Sequence, residues 1–199
     1  MLKRFTDIFL SFLAILVLLP FMFVISLIVN FESIGGFFYF QQRVGKNGKD
    51  FKLIKFRTMY VGADKNGLIT VGTNDKRITG FGKFLRKFKL DELPQLFNVI
   101  IGDMSIVGPR PEVRKYVNLY NSEQLKVLSV HPGLTDYASI IYIEENKILS
   151  ESDDPEKMYV EKIMPHKLEL NLKYIKNQTI FTDLKIIFKT IFKIFFKKR

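Results

Sequence analysis

The sequence predicts an α+β fold, mostly helical with a small β-hairpin. A proline-broken, re-entrant membrane helix precedes the globular part, and a C-terminal amphipathic interfacial helix follows it. Three observations lead there. Ile8–Val29 carries no charged residue over 22 positions. Two alternating segments flank an Asn47-Gly48 pair. Apolar residues and lysines recur at helical spacing from Ile180 onward. The divisions implied are 1–33 for the membrane helix, 34–178 for a globular domain and 179–199 for the surface helix.

As a helix, Ile8–Val29 would be about 33 Å long, enough to span a bilayer core. It does not read as a secretory signal: the apolar run is too long, and no small-residue cleavage site follows before "NFESIGG". Pro20 lacks an N–H and clashes with the Leu16 carbonyl, so a bend is expected there. Lys3 and Arg4 precede the run and a strongly basic region follows it. Both ends therefore prefer the cytoplasmic side, which a helix that dips in and returns satisfies. A kinked helix that spans the bilayer is the alternative.

"FFYFQQRVG" and "FKLIKFRTM" flank "KNGKD", where Asn-Gly is a hairpin-turn signal. Period-two alternation puts Phe51, Leu53, Lys55 and Arg57 on one face. Two cations ending an apolar face suit an anionic ligand, or else a solvated strand tip. Gly62–Gly82, rich in Gly, Asn, Thr and Asp, reads as a surface loop. Helices are expected over Gly82–Lys89 and Pro94–Ile101. The loop "GDMSIVGPRPEV" follows, in which Pro109 and Pro111 hold the backbone around Arg110. A rigid arginine suits a phosphate clamp, or else a helix cap or a partner of Glu112. Asp154 and Pro155 start a further helix, expected to break at Pro165. Glu144–Glu169, with eight acidic residues against four lysines, reads as a solvated face and not a metal site. In the last segment Ile180, Leu184, Ile187, Phe188, Ile191 and Phe195 form an apolar face beside Lys185, Lys189, Lys193 and Lys197. That pattern suits an anionic bilayer surface, or else packing on the protein's own core.

Composition narrows the functions. The 199 residues contain no cysteine, which excludes a disulfide framework, a thiol nucleophile and Cys-type zinc sites. Only His131 and His166 are present, so a His-rich metal site is excluded. Thirty-one basic residues against 20 acidic ones favour a polyanionic partner. Twenty phenylalanines with no tryptophan point to a membrane setting and speak against a nucleic-acid partner. Lys46–Lys89, with twelve basic and three acidic residues, is an anion-facing stretch. No Walker loop or GxGxxG is present.

Within that setting "KLDELPQLF" places Asp91 and Glu92 together after a basic run. Pro94 is tolerated only in a first helical turn, so the pair lies at or just before a helix start. Successive helical side chains diverge by about 100°, which suits two separate jobs over one bidentate claw. An anionic aspartate attacking phosphorus would need Lys55, Arg86, Arg110 and Mg²⁺ to offset repulsion. Taken locally, such a pair is more often a surface salt-bridge cluster.

The combination decides. "KFRTM" (Lys55–Met59), "LDELPQLFNVIIGDMSIVGPRP" (Leu90–Pro111) and "HPGLTD" (His131–Asp136) follow one another after the proline-containing apolar run. Together they resemble the bacterial sugar transferase family of monotopic phosphoglycosyl transferases over nearly the whole chain, in its small form without an added N-terminal membrane domain. The resemblance implies transfer of a sugar 1-phosphate from a UDP-sugar to undecaprenyl phosphate at the cytoplasmic face of the bacterial inner membrane. It implies release of UMP, a covalent aspartyl-phosphosugar intermediate, a Mg²⁺ requirement and a role in starting surface polysaccharide or glycoconjugate assembly. Asp91 matches the nucleophile and metal ligand, Glu92 its partner, and Lys55, Arg86 and Arg110 the phosphate-binding positions. Arg57 and His131 are further candidates for substrate contact. The chain departs from the family pattern at Leu19-Pro20, where Ser-Pro is common. It departs again at His131, which replaces an arginine and whose charge would follow pH, and at "TDYASIIYIEEN", which leaves the donor sugar open. The oligomeric state is open too, a homodimer included. The rival class is a non-enzymatic, membrane-anchored basic adaptor for anionic lipid or nucleic acid.

Overall fold

A computed structural model describes residues 2–63 and 75–196. Of the predicted surface loop, residues 64–74 lie outside the described residues, as do 197–199 with Lys197. The fold is a mostly helical α+β arrangement with two small two-stranded sheets and a long apolar N-terminal helix.

Helix α1 runs from Leu2 to Glu32 with Pro20 inside it. Helical structure continues through the proline, where a bend was expected. Its buried residues Asp7, Ser11, Met22, Ile25 and Val29, joined by half-buried Leu18, share one stripe at steps of three, four and seven. The other faces expose Phe9, Phe12, Leu16, Val17 and Phe23. Both ends of the stripe hold the same globular body. Near the start, Arg4 donates to the carbonyls of Met104 at 3.1 Å and Ile100 at 3.2 Å. Asp7 accepts from Ser105 Oγ at 2.7 Å. At the far end, Glu32 accepts from the Phe81 N–H at 2.9 Å. Met22, Ile25 and Val29 pack with Phe56 and Leu85, each contributing roughly 1.5–3 kcal/mol by burial.

The predicted hairpin forms from β1 (Phe38–Val44) and β2 (Asp50–Phe56), antiparallel from Phe38 opposite Phe56 to Val44 opposite Asp50. Asn47 and Gly48 both adopt positive φ, 56° and 73°, the pairing that a tight reversal matched to strand twist requires. The outer edge of β2 is covered from α3 (Gln95–Ile101). Asn98 accepts from the Ile54 N–H at 3.0 Å and donates to the Lys52 carbonyl at 2.8 Å. Helix α2 (Gly80–Lys87) begins at Thr79, whose hydroxyl caps it.

A second sheet was not expected: β3 (Ser105–Val107) and β4 (Gly133–Thr135) pair in parallel. Gly108 and Gly133 cross so closely that a Cβ on Gly133 would overlap the Gly108 backbone. That contact brings the "GPRP" and "HPGLTD" segments together. The remaining body comprises α4 (Arg114–Val117), α5 (Tyr137–Ile141), α6 (Glu145–Ser150), α7 (Pro155–Met158) and α8 (Met164–Lys176). They pack a core of Val113, Tyr116, Leu149, Tyr159, Ile163 and Leu168. Pro165 does not break its helix. A π-helical turn at Tyr159–Ile163 precedes it and absorbs the missing N–H.

Helix α9 (Ile180–Phe196) divides its faces, one packed on the protein's own core and one exposed. Asp183 and Ile186 are buried on the core, while Phe181, Phe188, Phe192 and Phe195 are exposed. Lys3 reaches Asp183 at 2.7 Å and Tyr174 donates to Asp183 at 2.6 Å, tying the start of α1 to α9.

Candidate active site

The site lies where β2, α2, α3 and the Arg110 loop converge over the second half of α1. Between α2 and α3 the chain makes a 3₁₀ turn, Leu90–Glu92, entered through Lys89 in the left-handed conformation (φ 57°). Helix α3 proper begins at Gln95 with Pro94 as its cap, so the carboxylates precede the helix by one turn. Positive φ at a lysine is a strained choice that surrounding structure must hold. Here it turns Asp91 and Glu92 inward, and both are buried.

The two carboxyls have different partners. Arg110 grips Glu92 with both guanidinium nitrogens, Nη1 to Oε2 at 3.1 Å and Nη2 to Oε1. Lys55 Nζ lies 3.7 Å from Glu92 Oε1. Burial alone would push Glu92 up, but Arg110, then Lys55 and Lys89, override it and hold the carboxyl well below the usual range. Asp91 goes the other way: burial, then repulsion from Glu92, push it up. Its Oδ1 is buried with no hydrogen-bond partner. A buried, unpaired carboxylate oxygen is costly, and an incoming ligand would relieve that cost.

The cations are positioned by neighbours that the sequence did not single out. Burial lowers Lys55 to about 8. Arg86, on α2, donates from Nε to Thr58 Oγ1 at 2.8 Å; burial lowers it too. The Arg110 N–H donates to Asp136 Oδ2 at 3.3 Å, while Asp136 Oδ1 caps α5 through the Ser139 N–H at 2.6 Å. The fully buried Asp136 and Thr58 therefore support the two arginines. Both sit inside quoted motifs, "HPGLTD" and "KFRTM", the one signal that pointed to them. Lys89 adds positive potential at both carboxylates.

Two candidates lie elsewhere. Arg57 donates to the carbonyls of Gly36 at 2.9 Å, Gly35 at 2.7 Å and Phe38 at 3.2 Å, fastening the turn between α1 and β1. His131 has Lys46, Arg4 and Asp7 as charged neighbours and a hydrogen bond to the Asp103 backbone. Burial lowers it, and its Nδ1 has no partner. Glu112, the alternative partner of Arg110, pairs instead with Arg43 at 3.0 Å.

Residues 1–197 match the bacterial sugar transferase family. The chain belongs to that family. A UDP-glucose:undecaprenyl-phosphate glucose-1-phosphate transferase of Klebsiella pneumoniae is 41% identical over 200 residues, 98% of this chain and 40% of the relative. A UDP-N-acetylgalactosamine-undecaprenyl-phosphate N-acetylgalactosaminephosphotransferase of Aeromonas hydrophila is 35% identical over 192 residues, 95% and 42%. The exopolysaccharide production protein ExoY of Rhizobium meliloti (strain 1021) is 35% identical over 206 residues, 96% and 84%. The chain thus spans about two fifths of the length of the first curated relatives it matches.

In this sugar transferase family member, a divalent ion can be tested against the donor set. Among the described residues, no group of three or more acidic or histidine side chains is placed to hold one. Mg²⁺, however, is commonly held by one or two carboxylates, with water and substrate phosphates completing the octahedron. Asp91, with its partnerless oxygen, fits as that single ligand; Glu92, engaged by Arg110, does not.

Proposed function

We propose that this protein transfers a sugar 1-phosphate from a UDP-sugar to undecaprenyl phosphate through a covalent intermediate on Asp91. The observation that carries the reading is the partnerless buried oxygen of Asp91, set among Lys55, Arg86 and a Glu92 already satisfied by Arg110. Family membership and the undecaprenyl-phosphate transferases among its relatives support the reaction class.

An Asp91 oxygen attacks the sugar-bearing phosphorus of the donor. The P–O bond to the nucleotide breaks and its electron pair leaves with UMP. An oxygen of the lipid phosphate then attacks the same phosphorus. The Asp91–phosphorus bond breaks, which restores the carboxylate and yields the diphosphate-linked lipid sugar. Lys55 and Arg86 bind and orient the donor phosphates and offset the repulsion between two anions. Arg110 holds Glu92 ionised and fixed beside the nucleophile. Mg²⁺, held by Asp91 and the phosphates, would supply further charge neutralisation.

Burial of Lys3, Arg4 and Asp7 contacts on the same body as Glu32 supports the re-entrant reading of α1. On that reading residues 1–33 dip into the cytoplasmic face of the inner membrane, residues 34–178 carry the site and residues 179–199 lie on the surface. The differing donors of the relatives leave the sugar to experiment. A panel of UDP-sugars with undecaprenyl phosphate should release UMP with one donor or a few. Asp91→Asn should abolish release and the acid-stable trapping of labelled sugar on the protein. Full turnover by that variant would remove Asp91 as nucleophile, and release of UDP would indicate direct displacement.

A further inference from the structure

An almost wholly apolar groove of about 630 Å³ opens between α5 and α9, lined by Ile140, Phe188, Lys189, Phe192 and Lys193. Its size falls within the roughly 300–1,000 Å³ of small-molecule sites. Lys189 and Lys193, four residues apart, stand on one side of the helix. Neither makes an ion pair among the described residues. Exposed Phe195 and Phe196 continue the apolar surface beyond the groove. We propose that this groove is a specific site for one anionic glycerophospholipid, with an acyl chain along Ile140, Phe188 and Phe192 and the headgroup phosphate between Lys189 and Lys193. The charge pattern selects this occupant. An apolar floor has no use for a free phosphate, and two uncompensated ammonium groups at the rim would be wasted on a zwitterionic headgroup.

The groove also touches the machinery of the site. Thr190 of α9 meets Thr135 of β4, Oγ1 to Oγ1 at 2.7 Å. The next residue, Asp136, caps α5 and holds the Arg110 N–H. A lipid clamped between α5 and α9 steadies the element that positions Arg110. The proposal rests on the reading that α9 lies in the membrane interface.

Native mass spectrometry of the full-length protein in detergent tests the site with defined lipids. Phosphatidylglycerol should give a single-lipid adduct retained over phosphatidylcholine by about fivefold for each lysine. The surface double variant Lys189→Gln/Lys193→Gln should lose that preference, and Ile140→Trp should lose the adduct. No preference in the wild type, or unchanged retention in the double variant, overturns the site. Displacement of phosphatidylglycerol by undecaprenyl phosphate alone would assign the groove to the acceptor and overturn the phospholipid. Flotation on phosphatidylcholine vesicles separates the two readings. Wild-type protein that floats but shows no lipid preference sinks the groove alone; a Phe188→Cys variant that an impermeant maleimide labels as readily on vesicles as in free solution overturns the interfacial reading of α9 and the groove together.

Discussion

Burial acts on Asp91 and Glu92 alike, yet Asp91 is pushed up and Glu92 is held down. The difference is Arg110, which reaches only Glu92. Glu92 therefore stays ionised throughout the working range, and the pH dependence falls to Asp91 and Lys55. On the proposed mechanism Asp91 attacks only when deprotonated, so kcat/KM should rise with pH through a value above the ordinary aspartate range. Lys55 is charged below about 8 and neutral above it, so phosphate binding and kcat/KM should fall past that point. Lys55→Arg keeps its charge at high pH and should abolish the alkaline limb while leaving the acid limb; UMP release across pH measures both. An unchanged alkaline limb would remove Lys55 from the assignment. Glu92→Ala leaves the Arg110 guanidinium half-buried and unpaired, and should cost about 2 kcal/mol, read as a shift in the denaturant midpoint. The acidic pair and its cations were legible in the sequence because residue type and Pro94 carry the signal. The pairing of Arg110 with Glu92 over Glu112 was not, because residues 18 apart meet only through the glycine crossing and the buried cap of Asp136.

Elements were legible where their cause is local. Alternation and Asn47-Gly48 specify the β1–β2 hairpin, since both the side-chain period and the two positive φ values are written in consecutive residues. Strands β3 and β4 escaped because each has three residues and their partnership spans residues 108–132, α4 included; no short-range pattern encodes a parallel pair. Their contact depends on Gly108 and Gly133, which makes the crossing testable. Gly133→Ala forces a Cβ into the Gly108 backbone, where no flexible side chain can yield. The cost should be about 3 kcal/mol, with Arg110 displaced and UMP release falling along with the denaturant midpoint. A variant of wild-type stability would show that the crossing tolerates more room than its geometry allows. Pro165 teaches a related lesson: the proline was visible, but the π-helical turn that accommodates it needs packing from Tyr159 and Ile163.

At the scale of the whole molecule, α1 and α9 leave large aromatic and aliphatic faces exposed while each buries one stripe on the globular body. Monomeric proteins in water rarely expose so large a continuous apolar surface, and lipid is the solvent that removes its cost. The arrangement of α1 then bears on topology. If the helix crossed the bilayer, Lys3 and Arg4 would lie about 30 Å from the globular body. Lys3 would lose Asp183 and the Val107 carbonyl, Arg4 would lose Ile100 and Met104, and Asp7 would lose Ser105. Each is a hydrogen bond involving a charged group, worth roughly 1.5–3 kcal/mol net of the bonds to water that would replace it. A helix whose exposed middle enters the lipid and whose two ends stay on the body keeps all of them. The chain lacks cysteine, so single thiols can be placed freely. Leu2→Cys and Lys49→Cys, both exposed, should react with an impermeant maleimide from the same side, in inverted vesicles and not in intact cells. Val17→Cys, exposed on the apolar face of α1, should resist the reagent in both until detergent is added. Labelling of Leu2→Cys and Lys49→Cys from opposite sides would establish a spanning helix and would mean that the Lys3 and Arg4 contacts do not survive in the membrane.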